Sequence, residues 1–116
     1  MFSEKFLETL ALPGIVAIAS SADGKAHVVN TWNNFVQIVD NKLLIPAGGM
    51  SATEQNTKGC NYVELTVGST ENKAGFLLCG TAEFFAEGEL YDKVKAAQSW
   101  ASRALVVTVT ECKQTM

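Results

Sequence analysis

Hydrophobic and polar positions along this chain change period several times, and each change predicts an element. Phe2, Phe6 and Leu10 recur at spacings of four, with Leu7 widening the stripe, which predicts a short helix over 2–12. Pro13-Gly14 ends it. Ile15 to Ala19 is a β-type run, and the Asp23-Gly24 pair that follows carries hairpin-turn chemistry. The segment AHVVNTWNNFVQIV predicts one long strand, with Val28, Asn30, Trp32, Asn34, Val36 and Ile38 on one face and Val29, Thr31, Asn33, Phe35, Gln37 and Val39 on the other. After a turn at Asp40-Asn41 comes a strand over 42–46, where Pro46, lacking an N–H, suits a strand end.

The second half repeats the grammar. SATEQNTKG predicts one or two helical turns ending at Gly59, Tyr62 to Val67 a strand, and Ala74 to Ala86 another with a bulge at Gly80. GELYDKVKAAQSWASR predicts the main helix, with Leu90, Val94, Ala97 and Ala101 on one stripe, and Ala104 to Thr110 a closing strand. That order gives about six strands, two modest helices and one helical turn. A mainly β chain with tight hairpins favours an antiparallel sheet closed into a small barrel with flanking helices.

Composition narrows the function classes. At 116 residues, 47% hydrophobic and 18% charged, the chain fits a single packed domain, 1–116, with one core. The net charge of -3 comes with no basic block, which argues against nucleic acid as a partner. The apolar runs are too short to cross a bilayer, and Glu4 and Glu8 interrupt the N-terminal segment where a signal peptide would be apolar. A cytoplasmic protein is expected. Cys60, Cys79 and Cys112 have no spacing that builds a metal site or redox pair and are expected to act as small buried hydrophobes.

Two stretches stand out chemically. In PAGGMSATE, Gly48-Gly49 strips the chain to backbone just before a helix start, where N–H groups and a dipole favour an anion. Ser51 and Glu54 have capping-box spacing, and Ser51 and Thr53 add hydroxyl donors. The same residues also make an ordinary strand-to-helix turn. In VVNTWNNF, three asparagines interrupt a strand, a residue type that strands disfavour. Either they pair with a polar ligand edge beside Trp32, or they mark a solvated sheet face around one anchoring tryptophan. The single histidine, His27, sits beside a turn and is expected to be structural, with no catalytic set or metal site around it. Arg103 is placed either to cap helix carbonyls or to meet a phosphate or carboxylate. Met50 is either a core plug or an apolar contact for a ligand ring.

Taken together, VVNTWNNF, PAGGMSATEQN and SWASRALVVTVTECKQT resemble the small bacterial FMN-binding proteins of the split-barrel superfamily. That superfamily also holds pyridoxamine-phosphate-oxidase-like enzymes and flavin reductases. The resemblance spans nearly the whole chain. It implies a six-stranded antiparallel split β-barrel and a homodimer with one FMN per protomer near the subunit interface. It implies that Asn30, Thr31 and Trp32 line the ring and ribityl region. Gly48, Gly49 and Met50 would approach with backbone, Ser51 and Thr53 would hold the phosphate, and Trp100 would lie close to the flavin. The implied activity is electron transfer or a small flavin oxidoreductase, with no catalytic side chain of the protein's own and a redox partner left undefined. A substrate-using FMN oxidase or reductase and a flavin-free split-barrel binding module are the alternatives. The basic residue expected between Met50 and Thr53 is replaced by Ser51-Ala52, so a phosphate there would depend on neutral donors, with Lys58 as a candidate cation. The loop GSTENKAG is also shorter and less basic than expected.

Overall fold

The computed structural model describes residues 2–116. Helix α1 (Glu4–Leu10) starts at Ser3, whose hydroxyl accepts from the Phe6 N–H at 3.0 Å. Strands β1 (Ile15–Ala22) and β2 (Lys25–Trp32) form a hairpin through Asp23-Gly24. Both turn residues have positive φ (53° and 76°), the backbone that the Asp-Gly pair is suited to supply. Strands β3 (Gln37–Val39) and β4 (Lys42–Ala47) form a second hairpin. Helix α2 (Ser51–Gly59) leads to β5 (Tyr62–Ser69) and β6 (Ala74–Phe85), and α3 (Glu89–Ala97) to β7 (Arg103–Gln114). No helix among the described residues is long and apolar enough to cross a membrane.

Seven strands occur among the described residues in place of the expected six. The long strand over 26–39 is broken by a 3-10 turn at Asn33–Phe35. The cause is Asn33, only 1% exposed, whose amide nitrogen donates toward the carbonyls of Leu12 (2.9 Å), Gly68 (3.1 Å) and Thr9 (3.3 Å). Its backbone N–H donates to Gly14 O at 3.0 Å. These bonds turn the chain out of the β2 ladder. The barrel expectation is corrected too. All pairings are antiparallel in one sheet of order β2-β1-β5-β6-β7-β4-β3, and β2 and β3 remain as edges instead of closing a ring.

The sheet's inner face buries Val16, Ile18, Leu43, Ile45, Val63, Leu65, Leu78 and Leu105 in the main core. Phe6 of α1 enters that core and meets Phe76 edge-on at 5.4 Å. On the opposite face of β4 and β7, Leu44, Ala104 and Val106 pack with Val94 of α3. The bulge expected at Gly80 is present as a register shift between Cys79 and Gly80. A Cβ at Gly80 would stand 2.2 Å from the Thr108 carbonyl oxygen, so the close β6–β7 approach requires glycine. Helix α3 is shorter than its pattern predicts. The chain becomes extended at Gln98, and the Ser102 N–H bonds Ala47 O at 3.0 Å, feeding the segment into β7.

Candidate functional site

A cleft of about 560 Å³ opens where edge strand β2 faces the end of β4. Val29 to Trp32 form one wall, Phe35 one corner, and Pro46 with Gly48, Gly49 and Met50 the opposite side. Trp100, on the turn between α3 and β7, closes the rim. As an edge strand, β2 presents backbone N–H and C=O groups that have no ladder partner on that side. The two tryptophans are half-exposed, Trp32 at 53% and Trp100 at 51%. Phe35 steadies the Trp100 ring at a centroid distance of 5.6 Å, and Gln98 Oε1 accepts its indole N–H at 2.9 Å. A Cβ at Gly48 would lie 3.1 Å from that indole, so Trp100 can lie over the backbone because residue 48 has no side chain. Gly49 has nothing within 4 Å of such a Cβ: the chain here borders open space.

A second, smaller cavity of about 140 Å³ adjoins the first and shares Gly48, Gly49 and Met50 with it. Ser51, Glu54, Ser102 and Arg103 supply its polar lining. Glu54 and Arg103 face each other at 3.7 Å. The larger cleft has no ionisable side chain among its lining residues, so the two differ sharply in character.

Of the residues singled out from sequence, Asn30, Thr31, Trp32, Gly48, Gly49, Met50 and Trp100 come together around the larger cleft. Ser51 lines the smaller cavity. Thr53 does not join them: it lines neither and is wholly buried, its hydroxyl oxygen without a hydrogen-bond partner. The expected capping box is absent. Ser51 is the first helical residue, Met50 occupies the cap position, and no side chain caps α2. Glu54 turns toward Arg103 instead. The first-turn N–H groups of α2 thus keep the donors that a capping side chain would take. Lys58 lies in the last turn of α2, about 10 Å along the axis from Ser51 at the usual rise per residue, and lines neither cavity.

Asn33, one of the three odd asparagines, serves the fold and not the cleft. Sequence reasoning missed Val29, Phe35 and Pro46, apolar residues whose only signal was proximity to the NTW and PAGG motifs. His27 is half-buried opposite Ser20 and lines neither cavity. Cys79 is buried as expected, but Cys60 is exposed just past α2, and burial pushes the Cys112 thiol up. No group of His, Cys, Asp and Glu suited to a metal ion occurs among the described residues.

Comparison with known proteins decides the family. The family model described as pyridoxamine 5'-phosphate oxidase matches residues 2–116. The chain belongs to the pyridoxamine 5'-phosphate oxidase family. Within reach of this family lies the FMN-binding protein of Nitratidesulfovibrio vulgaris (strain DSM 19637 / Miyazaki F), 37% identical over 123 residues that cover all of both chains. The crystal structure of Group A Streptococcus HupZ superposes with a TM-score of 0.86 at 16% identity, covering 98% of this chain and 94% of that one. An FMN-binding protein from Syntrophomonas wolfei gives 0.73 at 16% identity, covering 87% and 76%. At such identities the structural likeness speaks for the fold, and this family member shares it.

Proposed function

We propose that the protein is an FMN-binding flavoprotein that works in electron transfer or as a small flavin oxidoreductase, with its FMN near the interface of a homodimer. The observation that carries this is the junction at Gly48–Met50, where an uncharged aromatic cleft meets a charged cavity at an uncapped helix start. FMN has the same division, a flat ring at one end and a dianion at the other. The donor set fits. The free edge of β2 suits the polar rim of the ring, Trp32 and Trp100 suit its flat body, and the start of α2 suits the phosphate. The relative's name, FMN-binding protein, points the same way.

Bound FMN supplies the redox chemistry. The chain's own residues bind and orient it: Asn30 and Thr31 from the strand edge, Gly48 and Gly49 by close backbone approach. Trp32, Met50 and Trp100 keep water from the ring, and Ser51 donates at the phosphate end.

The dimer has its own support. The face of β2, β1 and β5 opposite the main core carries Ile15, Val28, Trp32 and Tyr62, each 46–57% exposed, and Ile15 pairs with Trp32 across the hairpin. A second copy on this face would cover apolar area and narrow the cleft that Trp32 borders.

Gently purified protein should show flavin absorption in the visible region or take up added FMN saturably. Binding to the native state alone should raise stability by about 2.7 kcal/mol at a hundredfold excess over Kd. Colourless protein whose melting temperature ignores FMN would reject the proposal. Sedimentation should give a dimer, and Val28→Asp should give a folded monomer; a monomeric parent would remove the dimer from it.

A further inference from the structure

The smaller cavity contains a cation that the neutral turn itself lacks. Between Met50 and Thr53 the chain carries only Ser51 and Ala52. Arg103 reaches the same place from the neighbouring strand. It stands opposite Ala47 in the β4–β7 register, at the position where the chain leaves the sheet for Gly48. That register is held by the Ser102 N–H and hydroxyl, both donating to Ala47 O, at 3.0 and 3.3 Å.

The guanidinium is only partly engaged. Its Nη1 donates to Ser102 O at 3.0 Å, and its Nε lies 3.7 Å from Glu54 Oε2, beyond hydrogen-bond distance. Five N–H donors in a planar fork leave several for a ligand. The Arg103 side chain is 43% exposed and that of Glu54 27%, so their attraction is screened and the pair is readily rearranged. A phosphate brings two negative charges and three acceptor oxygens, against one charge on Glu54.

Resting on FMN being the ligand of the cleft, we propose that Arg103 selects the phosphorylated flavin, donating to its phosphate in competition with Glu54. Arg103 supplies the positive charge, and Glu54 sets how strongly it is offered. Removing Glu54's charge therefore strengthens the hold on FMN. Riboflavin, which ends in a hydroxyl, gains nothing from either residue.

The experiment titrates FMN and riboflavin separately into the full-length protein and into Arg103→Ala, Glu54→Gln and the double variant, by calorimetry or flavin fluorescence. Arg103→Ala should weaken FMN about tenfold and leave riboflavin within about twofold. Glu54→Gln should tighten FMN about threefold, and that gain should vanish when Arg103 is also removed. An FMN-to-riboflavin ratio unchanged by Arg103→Ala overturns the assignment, as does a Glu54→Gln protein that binds FMN no more tightly than its parent. If Arg103→Ala fails to fold, Arg103→Gln takes its place in the single and double variants. A parent protein that binds neither flavin rejects FMN as the ligand and this assignment with it. A parent that binds both, with no dependence on residue 103, rejects only the assignment.

Discussion

Ser3 closes the start of α1 with a hydrogen bond to the Phe6 N–H, whereas α2 starts at Met50, whose side chain caps nothing. The surroundings differ in the same way. Near α1, Asn33 donates to three carbonyls, Ser69 Oγ donates to Pro13 O at 2.8 Å, and Asn72 donates to Thr9 Oγ1 at 2.9 Å. Gly14 is wedged against Gly68 O and the Asn33 amide. Near α2, Gly49 borders open space, Ser51 is exposed, and the Arg103 guanidinium is half engaged. One end of the molecule uses most of its polar groups on itself, with Asn33 Oδ1 left buried and unpartnered. The other leaves them to face outward, which lowers local stability and creates capacity for a ligand.

Substitutions should break this contrast in a graded order. The largest stability loss is expected from Gly14→Ala, since a Cβ there would lie 2.0 Å from a backbone oxygen that has no flexible way to retreat. We expect a loss of about 4 kcal/mol, seen as a lowered urea midpoint at constant slope. Asn33→Ala comes next. It strips donors from the carbonyls of Thr9, Leu12 and Gly68, at a cost of about 3 kcal/mol. If either variant unfolds at the parental midpoint, the self-bonded end is not what holds the fold. The smallest effect compares two serines. Ser3→Ala should lose about 1 kcal/mol with its cap, while Ser51→Ala should stay within about 0.5 kcal/mol of the parent. Equal losses would mean that α2 is capped in solution after all.

Much of the fold was legible because short-range rules governed it. Asp23-Gly24 adopts the backbone its composition calls for, alternation over 62–67 located β5, the long strand pattern over 74–86 located β6, and Gly80 marked the bulge. What the sequence hid depended on partners far along the chain. The break at Asn33 arises from carbonyls 21 to 35 residues away. The spacing of Ser51 and Glu54 suited a capping box, but α2 starts with Met50 at the cap position, and the Glu54 carboxylate lies 3.7 Å from Arg103, 49 positions later. In the same way, seven of the ten residues lining the larger cleft were visible as two motifs and a tryptophan, while Phe35, which steadies that tryptophan, looked like one more strand residue. The small cavity needed the β4–β7 register before Arg103 and the glycine turn were seen to meet.

Trp32 and Trp100 are the chain's two tryptophans, and both border one cleft. The whole indole emission of this molecule therefore originates beside the glycine turn, and none of it from the hydrophobic interior. A melt followed by that light would time the loosening of the cleft walls, while circular dichroism would time the loss of the sheet. The lag between the two curves would measure how independently the pocket comes apart.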